Sequence, residues 1–364
     1  MKRLSLVFAV IAAAAALLTA PLAAQDAVEP WVCPQNFAGQ HINVFNWSTY
    51  IADNTMDDFA AACGITYTYD NYDSDKSMIT LLRQGNPGFD IVVPSDYTVP
   101  LMIEEELLLP LDHALLPNLD NLAEDLRQAP FDPESVYTVP YLWGTFGIGY
   151  NTARVAGPVT SWTQFFGHDG PVAWVDDPRS MFAIALLMVG ADPNTREPAD
   201  IQAAKQYLIE HSGNVVVIAA DDGQELLARR EVDMAFEYNG DVYQLALDCQ
   251  CDDFAFAVPD EGTGISAGFI AIPVGAHNPK LAHAFIDYTL HPQVSADIAN
   301  YTAYPTPNQA ALDLGLIDPE QAANEGIYPT GAARANLFFV QYQGDEIESL
   351  MNAAWDEIKV RIGS

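Results

Sequence analysis

Apolar and polar residues alternate between two rhythms in the first third of the chain. Ile42 to Phe45 is a short apolar run that reads as a strand. Met56, Phe59, Ala60 and Cys63 then recur at helical spacing, opened by Asp53 or Asn54 and stopped by Gly64. Ile65–Tyr69 predicts a second strand, Met78, Leu81 and Leu82 a second helix ending before Gly85, and Phe89–Val93 a third strand. Two successive strand–helix–strand units predict a parallel, doubly wound sheet. With a flavodoxin-like strand order, the ligand crevice falls beyond the carboxyl ends of the first and third strands. Trp47-Ser48-Thr49-Tyr50 follows the first of these, and Ser95-Asp96-Tyr97 the third. An aromatic wall beside carboxylates suits an organic cation better than a phosphate or a sugar.

Val139 to Gly144, with Gly147 and Gly149, predicts a strand crossing between two lobes. A second α/β region follows. Ser161-Trp162-Thr163-Gln164 has the form of a capping box, which makes Trp162 structural. Pro171–Val175 reads as a strand ending at Asp177, with a helix from Met181 to Val189 after it. Met234–Phe236 reads as a strand ending at Tyr238 and Asp241. Strands over Phe254–Val258 and Phe269–Ile272, a rigid turn at Tyr304-Pro305-Thr306-Pro307 and a last helix from about Asp345 to Arg361 complete the pattern. The second region repeats the first: acids and an aromatic stand behind strands. Asp177 doubles as a candidate helix cap.

Before this pattern begins, Lys2 and Arg3 precede an apolar run from Leu4 to Ala20 and small residues up to Ala24. That is the form of a signal peptide cleaved after Ala24, leaving a soluble exported chain. The run is short of the roughly 20 residues a membrane span needs. The 15 basic and 49 acidic residues give a net charge of −34, and loss of the leader makes it two units more negative. Such a charge excludes nucleic acid and anionic membrane as partners. Export permits disulfides, and Cys33, just before the first strand, can meet Cys63 at the end of the first helix. Cys249 and Cys251 either close on each other or stay reduced. The seven His are scattered, so no metal is expected. The glycines after Trp143 precede no phosphate-binding helix, and no cofactor is expected. With no His-Glu-x-x-His or Cys–His signature, the chain is not expected to be an enzyme.

Several stretches in order resemble the periplasmic polyamine-binding proteins of ABC importers, the spermidine- and putrescine-binding type. They are Phe45 to Tyr50, Phe89 to Tyr97, Pro140 to Gly144, Asn239 to Gln244 and Tyr304 to Asn308. The resemblance covers nearly all of the mature chain. It implies an α/β, two-lobed periplasmic binding protein fold, each lobe a mostly parallel sheet flanked by helices, with ligand in the cleft between them. Residues 25–39 would be an extension, 40–142 plus 268–316 one lobe, and 143–267 plus 317–364 the other. It further implies a monomer that captures a cationic amine by hinge closure and hands it to an inner-membrane permease. Trp47 and Tyr97 would be walls, with Tyr304 in the same cleft and Tyr238 where the family often carries Trp; Ser48 and Ser95 would be hydroxyl or backbone contacts, and Asp177 and Asp241 partners for ammonium groups. Tyr50, Asp96, Ser180, Ser266 and Gly268 complete the candidate ligand-binding set.

Four positions depart from the family. Gly268 stands where an aspartate grips an amine, and Ser266 where an aromatic is common. Ser180 replaces a glutamate, and Thr49 stands where some relatives have an acid. Asp96, Glu237, Asp73 or a water can compensate, and the sequence leaves open which. The alternatives are a less charged organic cation or amine in the same fold, or service as a chemoreceptor partner.

Overall fold

The computed structural model describes residues 28–363 apart from Thr49, Asp73 and Asp221. The leader, its cleavage point, Thr49 and Asp73 lie outside the described residues.

The first two strands are β1 (His41–Trp47) and β2 (Thr66–Tyr72), with helix α1 (Thr55–Cys63) between them. Along α1, Met56, Phe59 and Cys63 turn into the core. Gly64 closes the helix at φ 68°, a left-handed conformation that favours glycine. Helix α2 (Asp75–Arg83) is capped by Ser74, whose side chain accepts from the Ser77 N–H. It leads to β3, which holds only Ile91–Val92 rather than the five residues expected. Phe89 instead stacks on Phe45, with ring centroids 4.2 Å apart.

The remaining strands are β4 (Thr138–Asn151), β5 (Val172–Val175), β6 (Val215–Ala219), β7 (Met234–Tyr238), β8 (Phe254–Ala257), β9 (Thr263–Ala271) and β10 (Leu337–Phe339). All ten join one sheet in the order β2-β1-β3-β9-β4-β7-β5-β6, with β10 on β9 and β8 on β4. Its two ends are parallel: β2, β1 and β3 at one end, β6, β5 and β7 at the other. Between them β4 and β9 run antiparallel to each other and to the flanking β7 and β3. The fold is therefore two-lobed α/β, with the lobes sharing a continuous sheet.

Each end of the sheet has its own core. Ile42, Val44, Ile91, Leu142 and Phe285 pack in one; Phe146, Trp162, Trp174, Phe236 and Trp355 pack in the other. The side chains of β4 change core between Leu142 and Phe146. Trp162 is fully buried and donates to Gly262 O at 3.0 Å. Its helix start is not a closed capping box: Ser161 Oγ accepts from the Thr163 N–H, but Gln164 accepts from the N–H of Thr160. Cys33 is bonded to Cys63, and Cys249 to Cys251.

Candidate functional site

A cavity of about 560 Å³ opens where the strand ends of the two lobes face each other. Its wall from the first lobe begins with Trp47 and Ser48 at the end of β1. The Trp47 Nε1–H donates to Val93 O at 2.9 Å, and its ring rests against Tyr72 at 4.6 Å. Tyr72 donates its hydroxyl to the same carbonyl. The indole is thus oriented by β3 and presents its remaining face to the cavity. Ser95 and Tyr97 follow β3 in the same wall.

The opposite wall comes from the second lobe. Asp177 ends the loop after β5 and caps helix α3 (Pro178–Met188), accepting from the Arg179 N–H at 3.0 Å. Tyr238 and Asp241 stand at the start of helix α4 (Asn239–Cys249), directly behind β7. Ser266 and Gly268 on the crossing strand β9 lie between the two walls, next to Tyr304, which packs with the first lobe's core. Tyr304 is held there because Trp143 N–H donates to Pro305 O at 3.1 Å, tying the Pro-rich turn to β4. Its ring also lies on Gly240, where a Cβ would collide with it.

Tyr50 occupies the space beside Gly268. A Cβ built on Gly268 would meet Tyr50 Cε1 at 2.7 Å and its Oη at 3.2 Å. The Tyr50 hydroxyl donates to Leu142 O at 3.3 Å, and the ring meets the edges of Tyr304 at 5.1 Å and Tyr141 at 5.7 Å. Burial raises the Tyr50 phenol far above its ordinary value, and the charges of Asp241 and Asp96 push the same way. The absence of an acid at 268 is therefore matched by a ring that fills its place.

Two expected contacts lie outside this wall. Ser180 is buried and donates its hydroxyl to Asp177 Oδ2. It holds an acid in place instead of facing ligand. Asp96 is buried behind the wall, with Oδ1 accepting the Tyr97 N–H at 2.9 Å and Oδ2 without a hydrogen-bond partner. Burial raises its carboxyl well above the usual range, against the pull of the Tyr97 N–H. Glu237 does not face the cavity either. It is buried, accepts the Tyr238 N–H at 3.1 Å, and leans on Gly223, where a Cβ would collide with its Oε2. Glu237 and Tyr238 point to opposite faces, as neighbours on a strand do.

Sequence reasoning missed Asp75 and Glu348, which both border the cavity. Asp75 stands just behind β2, so the rule that flagged Trp47 and Ser95 would have found it. Glu348 lies in helix α5 (Asp345–Ile362), far away in sequence, and carried no local signal. It takes the Arg179 guanidinium in a bidentate pair, Nε–Oε1 3.0 Å and Nη2–Oε2 2.8 Å. The same guanidinium lies over the Tyr97 ring, 4.6 Å from its centroid. Arg179 thus reaches across the cleft and covers one face of a predicted wall.

Sequence reasoning also overlooks a Gly-x-Ser-x-Gly spacing from Gly264 to Gly268. A hydrolase nucleophile needs that spacing on a sharp strand-to-helix turn. Here all five residues lie in the extended β9, paired with β4 from Thr145 to Leu142 across Ile265 to Gly268. Ser266 is not so displayed.

The profile of the bacterial extracellular solute-binding proteins matches residues 54–329. The chain belongs to that family. Among its relatives is a putrescine-binding periplasmic protein of Escherichia coli, 31% identical over 87% of this chain and 91% of that protein. A spermidine/putrescine-binding periplasmic protein of the same organism is 32% identical over 78% and 82%. Among solved structures, a spermidine/putrescine ABC transporter substrate-binding protein of Streptococcus pneumoniae superposes with a TM-score of 0.81 at 25% identity. It covers 89% of this chain and 100% of that one. Members of the extracellular solute-binding family capture solutes and are not enzymes, and the cleft between the lobes is the site the fold offers.

Proposed function

We propose that this chain is the binding subunit of an ABC importer and captures a polyamine or related cationic amine in the interlobe cavity. One observation carries the reading: rings of Trp47, Tyr97, Tyr238 and Tyr304 and carboxylates of Asp177 and Asp241 meet around one cavity. Rings attract a cation through their faces, and a desolvated site strengthens that attraction. Carboxylates at separate strand ends suit a ligand with more than one ammonium group. The lobes, bounded near 142 and 268, would close by bending of β4 and β9 and present the closed form to a permease. In this reading the chain is exported to the periplasm, cleaved after Ala24, and works as a monomer.

A less charged amine is the second reading, favoured by Tyr50 in the place of an acid beside Gly268. Thermal unfolding with putrescine, spermidine, agmatine and single-charged amines tests both. Binding to the native state raises Tm by mass action. A shift with the multiply charged amines supports the first reading, and a shift with single-charged amines alone supports the second. If no amine at millimolar concentration moves Tm, the amine reading is wrong.

A further inference from the structure

The acid at the first-lobe end of the cavity lies one position away from the strand on which it was sought. Ser95 is bridged directly to Gly268, and the flanking bonds fix the register: Asp96 N–H to Ala267 O at 2.9 Å and Phe269 N–H to Pro94 O at 2.8 Å. On the other side of Ser95, its N–H donates to Asp75 Oδ1 at 3.1 Å. Asp75 is therefore coupled to the residue that faces Gly268.

Asp75 is only 6% exposed, yet it borders the cavity, and among the described residues its Oδ2 has no hydrogen-bond partner at close distance. A buried carboxyl with an idle oxygen is costly unless something compensates it. Among the described residues no basic side chain is bonded to it. Its neighbours are Tyr72 of β2, the acid Asp96, and Ser95, Tyr97 and Thr98 after β3, whose hydrogen-bonding side chains pull its carboxyl down against the effect of burial. Arg179, the cation that crosses the cleft, is committed to Glu348. Arg83 is likewise paired with Glu105, and Lys76, which also lines the cavity, is exposed. An acid held by hydrogen bonds but by no buried cation, at the edge of the cavity, leaves a place for the cation that enters it.

We infer that Asp75 supplies the negative charge for one ammonium group of the ligand, at the end of the cavity bounded by Trp47, Ser95 and Tyr97. This rests on the amine reading above and assigns a residue within it. The ammonium feels the charge of Asp75, and the ring faces of Trp47 and Tyr97 confine it. Burial also raises the Asp75 carboxyl. An entering ammonium acts in the opposite sense and favours the ionised form.

Asp75→Asn keeps an acceptor for the Ser95 N–H, removes the charge and replaces the second oxygen with an amide donor. Calorimetric titration should use whichever of putrescine, spermidine or agmatine binds the wild type best. Losing one member of a desolvated charge pair is expected to weaken binding about 30-fold or more. The ligand-free variant should melt higher than the wild type, because a buried unpaired acid has been removed. Affinity within about threefold of the wild type overturns the inference; so does a lower Tm in the ligand-free variant, which marks a purely structural role. If Asp75→Asn does not fold, Asp75→Ser goes through the same titration, and failure of both to fold also overturns it. A wild type that binds no amine overturns the amine reading itself, a separate outcome.

Discussion

Restoring an aspartate at 268 tests whether Tyr50 or the strand forbids it. The backbone at Gly268 lies outside the left-handed region, so glycine is not needed for conformation. The obstacle is the ring, 2.7 Å from the new Cβ. To make room, Tyr50 must give up its bond to Leu142 O, worth about 1 kcal/mol. It must also loosen its edge contacts with Tyr304 and Tyr141, each worth about 0.5–1.5 kcal/mol. Gly268→Asp should therefore cost about 2–4 kcal/mol, at or somewhat above what overpacked sites typically cost. Urea unfolding of the wild type, Gly268→Asp, Tyr50→Ala and the double variant forms a cycle. The aspartate should cost at least about 1 kcal/mol less in the Tyr50→Ala background than in the wild type. Equal costs in both backgrounds would refute the reasoning, because the ring would then not be what excludes the acid.

Three further outcomes follow from the same contacts. Glu348→Gln removes the charge and one of the two acceptor oxygens of a pair whose side chains are 20% and 14% exposed. It should cost about 1–3 kcal/mol in urea unfolding, less than a fully buried pair would. Asp96 titrates above its ordinary value of 3.8 in the folded chain, so the native state holds a proton that the unfolded chain has released. Its contribution to stability therefore falls as pH rises above 3.8. Asp96→Asn should be stabilising at neutral pH and near neutral in effect at acid pH, and unfolding curves across that range would expose the opposite trend. The Cys33–Cys63 bond closes a separation of 30 residues and should contribute about 3–4 kcal/mol, while Cys249–Cys251 spans 2 and should contribute much less. Comparing Tm of Cys63→Ser with that of Cys251→Ser checks the ranking.

The parallel ends of the sheet were legible because each strand–helix–strand unit is local: Ile42 to Val93 contains three strands, two helices and their stop signals. The length of β4 and the extent of β9 were not, because glycines at 144, 147 and 149 interrupt the apolar run while pairing with β9, β7 and β8 keeps it extended. The aromatic wall could be placed by the rule that ligands gather behind strand ends. Side-chain direction could not. Asp96 and Ser180 lie next to wall residues and still turn away, since a neighbour on extended backbone points to the other face and a residue inside the first turn of α3 serves its own cap. Glu348 was invisible because its partner Arg179 is 169 positions away.

The acids around the cavity are not equivalent, and their prior commitments rank them. Asp177 accepts from the Arg179 N–H on one oxygen and from the Ser180 hydroxyl on the other. A carboxylate has about four lone-pair sites, so it can still receive an ammonium, but its geometry is fixed by the helix it caps. Glu348 is engaged on both oxygens by Arg179. Adding a ligand there would mean breaking a bidentate pair, the strongest class of such contact. Asp75 has one oxygen bonded and one idle. A ligand cation gains most where least must be broken. In the amine reading it should therefore anchor at Asp177 without rearrangement and draw its specificity from Asp75, while the Arg179–Glu348 pair stays intact.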